Sequence, residues 1–428
     1  MVSAESVPAC PPEMLDWRYR GLPVGARVRS NEVGAQGWSL VAGDTGTPVA
    51  VLRENALRHN VSAMRDFCER TGVRLAPHVK TTMSPELMRL QLEAGAWGLT
   101  VAVPHQAAVL LELGVPRVLI ANEIADARGL RSLVVQAKAT GSELWCYVDS
   151  VPGVRLASSA ATSEADGATP LPVLLEVGYS GGRTGVRTER EALEVAAAVA
   201  GSPALRLAGV AGFEGLIGSV RDGEVLAAVD GFLDRIARIY RRLTAAGLVG
   251  PGERVVSAGG SAFFDRVVER LGPLAGEGAT VVLRSGCYRT QDDGFYARMT
   301  PASAPAWGAA ALRPALEVWA RVVSCPEPGL ALLDAGRRDL SHDLGLPVAR
   351  WQVRDGVRVT ATGLTVTGLA DQHTFVRIDP GDPRAATLAV GDLVGLGVSH
   401  PCTTFDKWRS LLLVDDADRV TGVVRTLF

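Results

Sequence analysis

From about Thr47 to about Tyr288 the chain alternates short apolar runs with longer amphipathic stretches. The apolar runs are Leu75–Val79, Gly98–Val103, Val118–Asn122, Leu144–Asp149, Val173–Val177, Leu207–Phe213, Val255–Ala258 and Val281–Arg284. Among the stretches between them are Glu86–Ala94, Ala125–Thr140, Glu189–Ala200 and Glu224–Ala246, which read as amphipathic helices. Short apolar runs alternating with helices predict parallel strands buried on both faces. About eight such units predict an α/β fold of the (β/α)8 barrel type, with functional groups at the C-terminal ends of the strands. A doubly wound open sheet is the alternative, but no G-x-G-x-x-G follows the first strand.

After Tyr288 the pattern changes. The Pro/Ala-rich stretch Pro301–Pro314 reads as a linker. Beyond it, Leu316–Val323, Leu330–Leu333, Thr374–Ile378, Leu393–Leu396 and Ser410–Val414 are divided by Gly, Asp and Pro, which predicts a second, mostly antiparallel β domain. The expected division is residues 1–45 joining the β domain, 46–300 forming the barrel, and 301–428 forming the β domain.

The 428 residues are enough chain for this pair of domains. With 47% apolar and 21% charged residues and a net charge of −2, the composition excludes disorder and argues against nucleic acid as a partner. No apolar run approaches the ~20 residues of a membrane helix, so no membrane partner is expected. The first residues carry Glu5, Glu13 and Asp16 among prolines, without the apolar core of a secretion signal, so a cytoplasmic location is expected. The cysteines Cys10, Cys68, Cys146, Cys287, Cys325 and Cys402 are scattered with no C-x-x-C, which speaks against a disulfide framework or a ribbon-type zinc site.

Of 44 basic residues only Lys80, Lys138 and Lys407 are lysine. Lys138 falls in a polar stretch at a helix end, where a solvated surface role suffices. Lys80 ends the strand Leu75-Ala76-Pro77-His78-Val79-Lys80. That position puts an amine at the mouth of a barrel strand, where partial burial would desolvate it and favour a covalent role as a nucleophile.

Two glycine-rich turns follow late strands: Ser257-Ala258-Gly259-Gly260-Ser261 and Arg284-Ser285-Gly286-Cys287-Tyr288. Glycines let backbone N–H groups approach a phosphate, and loops after the last two strands are the usual barrel phosphate site. A glycine pair by itself is ordinary loop material; two such turns at the expected strands carry more weight. A third turn, Gly178 to Val186, places Arg183 after a middle strand, where a surface arginine is the ordinary reading.

In the β domain, His400 and Cys402 stand two apart after an apolar run. In extended chain they share a face, and an imidazole with a thiolate suits zinc or another divalent metal. H-x-C by itself is more often simple packing. Asp371, Gln372 and His373 form a polar knot that suits either a turn or a ligand or acid/base group.

Taken in order, these motifs resemble the fold-type III pyridoxal phosphate enzymes, the alanine racemase-like barrel group, and more narrowly the branch containing D-serine dehydratase and D-threonine aldolase. The resemblance extends from Pro77 to Trp408. It implies that Lys80 of Pro77-His78-Val79-Lys80-Thr81 holds pyridoxal 5'-phosphate covalently and that Arg183 lies beside the cofactor ring. It also implies that Ser257, Gly259, Gly260, Ser261, Gly286, Cys287 and Tyr288 bind the phosphate, and that His400 and Cys402 hold the metal. A homodimer is implied as well. The sequence departs from the family pattern in three places. Thr82-Met83 replaces the His-Lys after the lysine motif, Gln372-His373 replaces a Glu-His segment, and Cys287 replaces a threonine.

The implied substrate is a D-3-hydroxy amino acid such as D-serine, D-threonine or a bulkier analogue, and one metal position serves two reactions. Elimination of the β-hydroxyl gives a keto acid and ammonia; Cα–Cβ cleavage gives glycine and an aldehyde. In the resembled branch the dehydratases tend to carry His-x-Cys and the aldolases His-x-Asp, so Cys402 favours the dehydratase, with the aldolase second. An amino acid racemase would need a second acid/base residue that the sequence does not single out. A non-catalytic pyridoxal phosphate carrier would resemble the barrel alone, without the β domain.

Overall fold

Eight short strands wind into a parallel barrel in the computed structural model, which describes residues 10–162, 169–301, 311–379, 381 and 387–428. They are β1 (Arg74–Leu75), β2 (Leu99–Val101), β3 (Arg117–Glu123), β4 (Glu143–Val148), β5 (Leu171–Val177), β6 (Leu205–Gly212), β7 (Val255–Ala258) and β8 (Thr280–Leu283). Neighbours in sequence pair in parallel from β2 to β8, and β8 pairs back onto β1. The ring closes between β1 and β2: Trp97 N–H donates to Leu75 C=O at 2.7 Å, Thr100 N–H to Pro77 C=O at 3.0 Å, and His78 bridges Thr100. Each strand overlaps one of the eight apolar runs, the first only at Leu75. The open-sheet alternative is excluded by that closure.

Helices Pro85–Glu93, Pro104–Glu112, Ala127–Thr140, Val151–Ala161, Glu189–Ala200, Gly223–Ala245 and Phe264–Leu271 follow successive strands, and Glu54–Thr71 precedes β1. Their starts are written locally. Thr188 and Glu191 form a reciprocal capping box, and the Asp222 carboxylate accepts from Val225 N–H at 2.9 Å. Inside the ring, Ala76, Trp97, Leu119, Trp145, Leu174, Ala208, Val255 and Val282 pack as one cluster, so the barrel is filled below its mouth.

The second domain is built on one long strand, Leu316–Glu327, which pairs antiparallel with Leu393–Gly397, Leu330–Leu333 and Val49–Arg53. Thr374–Ile378 and Ser410–Val414 are strands as the alternation predicts; Val348–Arg354, Val357–Thr360, Leu364–Leu369 and Val420–Arg425 are strands that it did not announce. Val49–Arg53 lies on the barrel side of the division expected at residue 46. Its hydrogen bonds nevertheless go to the second domain, antiparallel to Leu316–Glu327 and parallel to Ser410–Val414. Leu15, Leu22, Val28, Val33 and Leu40 pack with Val414, Val420 and Val423 of that domain. Of the Pro301–Pro314 linker, residues 302–310 lie outside the described residues, as do residues 1–9. Among the described residues no helix is long and apolar enough to cross a membrane.

Candidate active site

The C-terminal ends of the barrel strands open into a cavity of about 320 Å3. Lys80, Arg183, Gly259, Gly260, Ser261, Gly286 and Cys287 line it from the barrel, and His400 and Cys402 from the β domain. Four of the other expected residues stand elsewhere. Ser257 lies beneath the turn, its hydroxyl donating to Val282 C=O at 2.9 Å and accepting from Arg284 at 2.6 Å. The Tyr288 hydroxyl is buried against Gln91, which donates to it at 3.0 Å. Gln372 and His373 are exposed, and Gln372 donates to Asp339 at 2.8 Å.

Lys80 sits in the single turn Val79–Thr81, between His78 in extended conformation and the helix opened by Pro85. Val79 and Thr81 are buried on either side, which turns Lys80 outward into the cavity. The lysine is exposed there, not partly buried as its place on the strand suggested. His78 also faces the cavity. Burial, with the nearby cations Lys80, Arg284 and Arg183, holds its pKa well below the usual imidazole range, so it is neutral.

The two phosphate-type turns are tied together. Cys287 N–H donates to the Ser261 hydroxyl at 3.1 Å, and the Ser285 hydroxyl donates to Gly260 C=O at 2.9 Å. Gly259 has φ +97°, a conformation that a side chain would strain. The N–H groups of Gly259 and Gly260 already donate to the buried Glu214 carboxylate, at 3.0 and 2.8 Å. Glu214 went unnoticed in the sequence; its only signal is a lone acid directly after the apolar run that becomes β6. Donors left to receive a phosphate would therefore begin at Ser261, ahead of the helix Phe264–Leu271.

The cavity suits a polar heteroaromatic ligand. The Nδ1 of His78, the Tyr147 hydroxyl and Oε2 of Glu176 line it or abut it, buried and without a hydrogen-bond partner. Glu176 also faces Glu123, whose carboxyl is raised to about 9 by burial and by that neighbour. Arg183 lies 4.7 Å over the Phe213 ring, with no ion pair to a carboxylate among the described residues. Its loop is held by Arg187, which donates to Thr184 C=O at 2.8 Å.

On the opposite wall Thr81 lies 3.2 Å from the Cys402 sulfur, joining the lysine turn to the β domain. His400 shares the cavity lining with Cys402, and its Nδ1 lies 2.7 Å from Asp343. Burial would lower the imidazole's pKa, but Cys402 and Asp343 push it up to about 9. The Cys402 thiol is held well below its usual range by the hydrogen bond with Cys287 and by His400, which favours the thiolate. With Nδ1 engaged by a carboxylate, the imidazole presents Nε2, the arrangement that orients metal-binding histidines. The donor set suits zinc in type, although no group of three His, Cys, Asp or Glu side chains forms a finished metal cage among the described residues. Sequence reasoning missed Asp343, which lies in a loop 57 positions from its partner.

Comparison with known proteins agrees with the two-domain fold. The alanine racemase N-terminal domain family matches residues 52–267, just over half of the chain, and the family described as "Putative serine dehydratase domain" matches residues 315–414. The chain is 28% identical over 383 residues to a D-threonine aldolase of Arthrobacter sp, covering 89% of this chain and 91% of that one. It is 25% identical over 386 residues to the D-threo-3-hydroxyaspartate dehydratase of Delftia sp. (strain HT23), covering 84% and 91%. Among solved structures, a D-threonine aldolase from Filomicrobium marinum superposes with a TM-score of 0.76 at 27% identity, covering 91% of this chain and 96% of that one. The chain belongs to the alanine racemase-like, fold-type III family of pyridoxal phosphate enzymes, in the lyase branch whose barrel is joined to a D-serine dehydratase domain.

Proposed function

We propose that this protein is a pyridoxal phosphate- and zinc-dependent dehydratase that converts a D-3-hydroxy amino acid into a keto acid and ammonia. The observation that carries the reading is the convergence of Lys80, the Ser261–Cys287 turn pair and the His400–Cys402 pair on one cavity. Both curated relatives named above are lyases of D-3-hydroxy amino acids by name, which supports the substrate class.

When bound, pyridoxal phosphate supplies an electron sink for charge developing at the substrate Cα. The residues around it have separable tasks. The Lys80 amine is free to reach both cofactor and substrate, and takes the proton from Cα. Ser261 and the amide end of the helix Phe264–Leu271 receive the phosphate. Glu214 fixes the turn by holding the Gly259 and Gly260 amides. Arg183, free of carboxylate partners among the described residues, offers a cation to an anionic group of cofactor or substrate. Neutral His78 adds no competing positive charge beside Lys80. His400 and Cys402 would hold the zinc, which supplies Lewis acidity to a departing hydroxyl.

The His-x-Cys pattern favours elimination. In solved variants of a D-threo-3-hydroxyaspartate dehydratase, a histidine and a cysteine two positions apart have each been replaced by alanine, and the cysteine variant was solved in a metal-free form. The second reading, retro-aldol cleavage to glycine and an aldehyde, draws on the match to the D-threonine aldolases.

The test is product analysis. Zinc-loaded holoenzyme is incubated with D-serine, D-threonine and D-phenylserine, with the Lys80→Ala variant as the inactive control. Keto acid and ammonia in equal amounts are expected. Glycine and aldehyde would replace this reading by the second one, and turnover of none of the three would remove both.

A further inference from the structure

Cys287 belongs to a turn expected to serve a phosphate through its backbone, yet its side chain is directed elsewhere. Its sulfur lies 3.6 Å from that of Cys402 and on the same cavity wall as His400. We propose that Cys287 is a third protein ligand of the metal, so that the ion is held by two thiolates and one imidazole with a fourth position open. This deepens the zinc-dependent reading above and rests on it.

The distance is the first argument. Two sulfurs bound to one tetrahedral zinc at about 2.3 Å each stand roughly 3.8 Å apart. The observed separation is close to that spacing, and all six cysteines are free thiols.

The second argument is the surroundings. Cys287 is buried, 4% exposed, and lines the cavity together with Tyr296. The Cys287 backbone is fixed by the bond from its N–H to Ser261. The sulfur is thus held toward Cys402 by groups that do not depend on a metal. The two sulfurs now share a hydrogen bond, and an ion placed between them takes the position of the shared proton.

The third argument concerns the residue type. Threonine, the residue that the resembled turn carries, offers a hydroxyl that is a weak ligand for a borderline-soft ion; a thiolate is a strong one. Among the described residues no three His, Cys, Asp or Glu side chains stand where they could hold a metal ion together, so the site requires the imidazole and the two sulfurs to close on the ion. Three ligands and one open position is the pattern of a catalytic zinc, whereas four closed ligands mark a structural one.

The experiment is zinc K-edge X-ray absorption on cofactor-bound, zinc-loaded wild type, Cys287→Ser and Cys402→Ser, with zinc content measured after dialysis. Two sulfur scatterers in the wild type and one in each variant are expected. One sulfur in the wild type, kept in Cys287→Ser and lost in Cys402→Ser, overturns the proposal and leaves the His400–Cys402 metal reading standing. A wild type that retains no stoichiometric zinc overturns both. The wild-type sulfur count decides the matter even if a variant fails to fold.

Discussion

Gly286 packs so closely on His78 that a Cβ at the glycine would stand 2.5 Å from the histidine carbonyl oxygen. This contact joins the turn after β8 to the segment carrying Lys80, so it sets the distance between the phosphate donors and the amine. Gly286→Ala must push two backbones apart. Overpacking of this kind costs about 1–3 kcal/mol. If that cost falls on the assembled site, affinity for pyridoxal phosphate drops about tenfold or more. A fluorescence titration with the cofactor, paired with a thermal melt, measures both; wild-type values in both would sever the contact from the site.

Asp343 accepts at one oxygen from the Thr403 hydroxyl at 2.7 Å and meets His400 Nδ1 at the other. Its role in the proposed zinc site is to fix the ring with Nε2 forward. Replacing such an orienting partner weakens metal binding about 10–100-fold. Asp343→Ala is therefore expected to lower zinc affinity by that factor in competition with a chromogenic chelator, while pyridoxal phosphate binding stays at the wild-type level. Unchanged zinc affinity would mean that Asp343 does not position the imidazole.

The barrel was legible because its strands are covered on both faces and so read as unbroken apolar runs. The same property hid one domain boundary. All five residues of Val49–Arg53 are buried, and periodicity gives no sign of which sheet such a run enters. Val348–Arg354 and Val357–Thr360 went unread for the opposite reason: the first is mostly half-buried and the second mostly exposed, with too little apolar alternation to mark them. In the site, motifs carried on one turn were readable, as Lys80 and Gly286 show. Contacts made across long sequence separations, such as Glu214 on the Gly259–Gly260 amides and Asp343 on His400, were not. Gln372 and His373 looked like site residues because a turn and a ligand cluster draw on the same polar side chains. Neither of them lines the cavity of their own chain.

The Glu317 carboxylate is 1% exposed and accepts from Arg53 at 2.7 and 2.9 Å, Trp319 at 2.9 Å and Trp351 at 3.0 Å. Burial would raise its pKa, but Arg53 and the other donors hold it below the usual carboxylate value. Glu317→Ala leaves the buried guanidinium with Asp418 as its remaining close carboxylate, and breaking a buried pair costs about 3–5 kcal/mol. Because the folded pKa is depressed, the stabilisation is complete above the unfolded pKa and fades as pH falls through the folded one. Urea unfolding of wild type and variant should show a gap that is widest near neutral pH and narrows on acidification. A gap independent of pH would remove the ionised carboxylate as its source.

Cys402 is where the choice between elimination and carbon–carbon cleavage is expected to lie. A thiolate donates more charge to a bound ion than a carboxylate does, so Cys402→Asp leaves the ion a stronger acid toward a substrate hydroxyl. A more acidified hydroxyl favours Cα–Cβ cleavage over departure of the hydroxyl itself. The variant should therefore shift products from keto acid and ammonia toward glycine and aldehyde. A change of about 1.4 kcal/mol between the competing barriers moves the ratio tenfold. Measuring all four products from D-threonine over a single time course gives that ratio without reference to the absolute rate, so partial loss of zinc does not obscure it. A ratio equal to that of the wild type would place the selection elsewhere in the cavity, on residues that touch the substrate and not on the ligand behind the metal.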